Sequence, residues 1–121
     1  MRAFAVGGAV LGALGVVLGA FGAHALHGTL DEAALRLWHT AVEYQLWHAT
    51  ALLFVSLALP PSRLRTAGAM AFAVGIVLFS GSLYALALGA PRIVGAITPF
   101  GGIALIAGWL AAALCVARSR N

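Results

Sequence analysis

Nine consecutive residues of this 121-residue chain, Thr40-Ala-Val-Glu-Tyr-Gln-Leu-Trp-His48, carry a carboxyl, an amide and an imidazole into a long apolar run. Glu43 and His48 are a pair that could relay protons or ligate a cation, and Gln45 could hold a headgroup or a quinone-like molecule by hydrogen bonds. Moving an ionisable side chain toward the centre of a bilayer costs ~2.5–3.5 kcal/mol on insertion scales, so such groups usually face a bundle interior and mark a function. Residues three and four apart are neighbours on a helix. This spacing places Gln45 and His48 on one face with Tyr44, and His39, Glu43 and Trp47 on another. Both faces cannot serve one small ligand, and the Gln45/His48 face is the one expected inside. Glu43 either snorkels to the interface, pairs with Arg36 or Arg92, or turns inward toward His24.

The elements that must position these groups follow from composition. The chain is 63% hydrophobic and 8% charged, with a mean hydropathy of +1.03, far from the usage of a soluble domain. It reads as a single all-α integral membrane domain, a four-helix bundle with spans at about 3–26, 40–59, 66–89 and 97–117. Thr29-Leu-Asp-Glu32 matches a capping box and opens a helix that meets no breaker before Pro60-Pro61. Its ~30 residues would measure ~45 Å, so residues 30–39, with Trp38 and His39 at the boundary, are expected to extend beyond the membrane or lie in its interfacial belt. Trp38 and Trp47 read as interface anchors and packing residues.

Small residues mark the packing seams. Gly8, Gly12, Gly15, Gly19 and Gly22 recur at alternating intervals of four and three, and Gly68, Gly75, Ser82 and Gly89 recur every seven. In lipid, where apolar burial does not drive helices together, such faces let backbones approach and gain dispersion contacts. Phe79-Ser-Gly-Ser-Leu-Tyr84 adds hydroxyls near the end of the third span, and Thr98-Pro99 opens the fourth, proline being tolerated in a first helical turn.

The net charge of +4 is distributed as arginines at segment ends, which reads as a topology signal and not as a nucleic-acid surface. Four spans put Arg2, Arg63, Arg65, Arg118 and Arg120 on one side, against Arg36 and Arg92 offset by Asp31 and Glu32 on the other. The positive-inside rule then predicts cytoplasmic amino and carboxyl termini. On that orientation His24, Glu43, Gln45, His48, Ser80, Ser82, Tyr84 and Thr98 all fall toward the outer half of the membrane, as one polar cluster drawn from four helices.

Four ordered motifs, GAFGAH (19–24), EYQ (43–45) followed by His48, LFSGSLY (78–84), and TPFGG (98–102) followed by GW (108–109), closely resemble the domain of unknown function 423 family. The likeness covers nearly the whole chain. It implies a small four-helix membrane protein, and it brings no established reaction, cofactor or catalytic residue.

The residues therefore leave several functions in view. The first is a non-enzymatic binding or accessory protein whose outer-half cluster holds a lipid, a quinone-like molecule or a partner helix, while the glycine seams could mediate a homo-oligomer as easily as packing within one chain. A metal or haem site would use His24 and His48, with Glu43 as a third ligand. A proton-coupled transporter would use Glu43 and His48, although the inner half offers no polar continuation. No nucleophile–base pair or carboxylate dyad stands at helix spacing, so no enzyme is expected, and the single Cys115 excludes an intramolecular disulfide.

Overall fold

The computed structural model describes residues 1–119. Four helices follow one another: α1 (Arg2–His24), α2 (Glu32–Ala58), α3 (Arg63–Ala87) and α4 (Thr98–Arg118), with a short 3₁₀ turn, Arg92–Ala96, before the last. Arg120, one of the arginines assigned above to the side of the termini, lies outside the described residues.

Each boundary has a local cause. The cap of α2 is Asp31, whose carboxylate accepts from Ala34 N at 2.8 Å, so the helix starts two residues later than the capping box implied. Thr29 instead turns its hydroxyl back to the carbonyl of Ala25. An aspartate accepts an orphan amide as well as a threonine does, and it adds a negative charge at the positive helix end. Leu59 is extended ahead of Pro60-Pro61, which ends α2 after 27 residues, ~40 Å rather than ~45 Å. Ser62 caps α3 by accepting from Arg65 N at 3.0 Å. At the other end Gly89, at φ +98°, lets Ala90 N reach Ala85 O and its own N–H reach Leu86 O, a Schellman ending that any side chain would strain.

The helices pack in chain order: α1 on α2, α2 on α3 and α3 on α4, with α1 touching α3 lightly. The bundle is thus open. Among the described residues α1 forms no substantial interface with α4. The α1–α2 seam is antiparallel, with Gly8 against Ala49 and Leu53, Gly15 against Leu46, Gly19 against Val42, and Gly22 against the indole of Trp38. Gly12 lies off that seam, with nothing near enough to meet a Cβ. Between α3 and α4 the close approaches are Gly68 to Ala111, Gly75 to Leu105, Gly108 to Phe72, and Gly101 to the backbone of Phe79, where a side chain has no room at all.

Phe72, Leu52 and Val55 lie at the centre of the main core, which joins α2, α3 and α4 in the half nearer the termini. A smaller cluster of Leu26, Trp38, Val42 and Ala87 closes the other half. The segments Arg2–His24, Arg63–Ala87 and Arg92–Arg118 are each long and apolar enough to cross a membrane. α2 is diluted by Glu43, Gln45, His48 and their neighbours, and it runs beside α1 from Trp38 to Leu53. The mean hydropathy of the chain and the lipid-facing valines and leucines of α1 and α4 make this a multi-pass membrane protein.

Candidate functional site

Gln45 sits near the middle of α2, 4% exposed, and joins three helices. Its amide nitrogen donates to the carbonyl of Leu11 in α1 at 2.8 Å, and its amide oxygen accepts from the hydroxyl of Tyr84 in α3 at 2.7 Å. Tyr84 in turn packs edge-on against Trp38, whose indole N–H donates to Leu18 O at 2.8 Å. A buried amide with both ends engaged avoids the penalty of an orphaned polar group, which is larger in lipid than in water.

One turn along α2, His48 is 5% exposed and both ring nitrogens are engaged. Nδ1 lies 2.7 Å from the carbonyl of Tyr44, which can only accept, so Nδ1 carries the proton. Nε2 accepts from the indole N–H of Trp109 in α4 at 3.0 Å. The two partners together define one neutral tautomer, and an imidazolium would set N–H against N–H. Tyr44, Phe72 and Trp109 surround the ring.

The hydroxyls are absorbed in the same way. Ser80 donates to Ala41 O across the α2–α3 seam at 2.7 Å. Ser82 and Thr98 share a hydrogen bond of 2.6 Å between α3 and α4, and Ser82 also reaches Phe79 O. Gln45, His48, Ser80, Ser82, Tyr84 and Thr98 are therefore brought into the interior, as separate interhelical locks and not as one open pocket. A partly enclosed hollow of about 200 Å³ lies at the far end, lined by Pro60, Ser62, Leu64, Cys115, Arg118 and Ser119.

Two of the eight residues stay outside. His24, the last residue of α1, is exposed. The α1–α2 register puts it about twelve residues, ~18 Å, along the bundle axis from the level of His48. The two imidazoles cannot share a metal or a haem iron in this arrangement, and among the described residues no group of three His, Cys, Asp or Glu side chains is placed to hold a metal ion. Glu43 is exposed on the outer face of α2, beside Trp47 at 59% exposure. Among the described residues it has no hydrogen-bond or ion-pair partner, so neither Arg36 nor Arg92 is paired with it.

Trp38 and Trp109 take part in these locks although neither stood among the candidate residues. Trp38 is 3% exposed, a packing residue and not an interfacial anchor. Its signal was its spacing: four residues before Val42 and seven before Gln45, on the inward face of α2. The GW pair at 108–109 carried the second, since a glycine on a packing seam brings its neighbour close to the next helix.

Comparison with known proteins gives the same outline. The family model "Protein of unknown function (DUF423)" matches residues 18–102. The chain is 46% identical over 114 residues to UPF0382 membrane protein YwdK of Bacillus subtilis, covering 91% of this chain and 92% of that one. It is 41% identical over 107 residues to a UPF0382 membrane protein of Haemophilus influenzae, covering 88% and 86% of the two chains. With UPF0382 inner membrane protein YgdD of Escherichia coli it shares 41% identity over 103 residues, 84% of this chain and 79% of that one. No solved structure matches. The helical locks, the lipid-facing surface and these relatives converge: the chain belongs to the DUF423 family of multi-pass membrane proteins of unknown function.

Proposed function

We propose that this protein is a non-enzymatic accessory protein of the membrane that works by docking another transmembrane helix against α2. One contrast carries the reading. Inside, the candidate polar groups are committed to one another or to backbone carbonyls. Outside, the hydroxyl of Thr40, the carboxyl of Glu43 and the indole N–H of Trp47 have no hydrogen-bond partner among the described residues. In a bilayer, polar groups left on a helix surface act as glue for a neighbouring helix, because lipid tails offer them nothing.

On this reading the buried cluster is a set of locks that keeps the docking face rigid, in place of a pocket for a lipid or a quinone-like molecule. The commitment of both His48 nitrogens weighs against the metal or haem reading and against a proton relay through that ring. On this reading the amino terminus, the 60–65 turn and the carboxyl terminus are cytoplasmic and Glu43 lies in the outer half of the membrane, which the arginine distribution supports.

Two variants test the division of labour. Glu43→Leu is expected to leave thermal stability intact and to shrink the assembly that native mass spectrometry detects from membrane vesicles. Gln45→Leu is expected to lower stability. An unchanged assembly in Glu43→Leu refutes the docking role. So does a small molecule that co-purifies stoichiometrically with the wild type and is lost in a folded Tyr84→Phe variant.

A further inference from the structure

The outer face of α2 has its own repeat. Arg36, Glu43, Thr50 and Leu57 recur every seven residues, and Thr40, Trp47 and Phe54 stand between them, so the face runs at alternating steps of four and three. All of these side chains are exposed except Thr40, which is half-buried. This is the spacing of a seam that meets a like helix at a shallow left-handed crossing. Glu43 lies within the stretch of α2 that packs along α1, since its neighbours Val42 and Leu46 oppose Gly19 and Gly15 of α1. Its level is about six residues, ~9 Å, short of the end of α1.

We propose that this face pairs with the same face of a second copy about a two-fold axis along the membrane normal, Glu43 of each copy accepting hydrogen bonds from Thr40 and Trp47 of the other. The inference rests on the docking role of α2 and names its partner. In a parallel left-handed pair, a residue of one seam layer fits between the residues three before and four after its counterpart on the facing helix. For Glu43 those residues are Thr40 and Trp47, both donors and both without a side-chain hydrogen-bond partner among the described residues. An acceptor flanked at −3 and +4 by donors is its own complement, as a two-fold interface requires. A second copy also has the same topology, which puts its donors at the right depth without further adjustment.

The test uses cysteine cross-linking in membrane vesicles. Thr50→Cys, two turns along the same seam, is expected to give a disulfide-linked dimer on mild oxidation. Val77→Cys on the exposed face of α3 is expected to give none. The native Cys115 is buried in the main core and out of reach. Adding Glu43→Leu to Thr50→Cys is expected to weaken the dimer roughly tenfold, the scale of one or two interhelical hydrogen bonds in a bilayer, while Glu43→Gln retains most of it. A homodimer that is insensitive to Glu43→Leu, or equal cross-linking at Val77→Cys, overturns the proposed interface. Adducts of Thr50→Cys with a different protein and no homodimer overturn the second copy as partner and leave the docking role standing. No adduct at all, with a monomeric mass from native membranes, overturns both.

Discussion

Gln45 makes the most exacting test of the interior, because one side chain holds α1 and α3 to α2 at the same level. Gln45→Leu keeps the volume and removes both hydrogen bonds, to Leu11 O and from Tyr84. Interhelical hydrogen bonds in a bilayer contribute ~0.6 kcal/mol on average and up to ~1.7 kcal/mol. A buried hydroxyl left without an acceptor adds ~1–3 kcal/mol. The expected cost of Gln45→Leu is therefore about 2–4 kcal/mol, and that of Tyr84→Phe, which keeps the Leu11 bond, about 1–2 kcal/mol. The double variant has no orphaned hydroxyl and loses the shared bond only once, so it should be less destabilised than the sum of the singles by about 2–3 kcal/mol. Reversible unfolding in mixed detergent–SDS micelles, followed by circular dichroism, measures all three. Additive costs, or a Gln45→Leu cost within about 0.5 kcal/mol of zero, refute the claim that Gln45 and Tyr84 act as one lock.

Other perturbations separate packing from its neighbours. Gly101→Ala sets a methyl into the backbone of Phe79 and should cost about 3 kcal/mol or prevent insertion of a stable α3–α4 pair, whereas Gly12→Ala meets open space and should be neutral or mildly stabilising in the same unfolding assay. Nitrogen-15 NMR of labelled protein should show His48 as the neutral Nδ1–H tautomer, and an Nε2–H signal would contradict the Trp109 bond; Trp109→Phe should free Nε2 and shift its resonance. Asp31→Ala should destabilise by ~1 kcal/mol through loss of the α2 cap, with Thr29→Ala close to neutral, and the reverse order would restore Thr29 as the capping residue.

Much of this arrangement was legible because membrane segments obey a small grammar. Length and hydropathy placed the helices to within a few residues, and Pro60-Pro61 marked the end of α2, whereas Gly89, read as the last member of a packing seam, packs against nothing and instead makes the turn that ends α3. The three- and four-residue spacing separated Gln45 and His48 from Glu43 before any coordinate was known. What sequence could not supply was the acceptor side of the locks. The partners of Gln45, Trp38, Ser80 and His48 include the backbone carbonyls of Leu11, Leu18, Ala41 and Tyr44, and a carbonyl has no residue type to betray it. The expected single cluster dissolved for that reason. Polar side chains expected to share a membrane half were read as sharing one site, whereas they pair off separately, Gln45, Ser80 and Trp38 with carbonyls of the neighbouring helix and His48 and Ser82 partly with carbonyls of their own. His24 was counted inward because GAFGAH carries a packing glycine two residues earlier, yet α1 ends there and its last side chain points outward.

The open, in-order packing of the four helices also bears on how the protein is made. Nearly every substantial interface joins helices adjacent in the chain, so each new span finds its partner already beside it as it leaves the ribosome. α1 and α2 can lock through Gln45 and Trp38 before α3 is synthesised, and α3 and α4 can close around Gly101 and the Ser82–Thr98 bond as a second hairpin. The α2–α3 interface, as extensive as the α1–α2 one and pinned by Tyr84 to Gln45 and Ser80 to Ala41, then joins the hairpins, with Trp109 to His48 as a link from α4. A chain cut at the Pro60-Pro61 turn and expressed as two pieces should reassemble in the membrane through that α2–α3 interface.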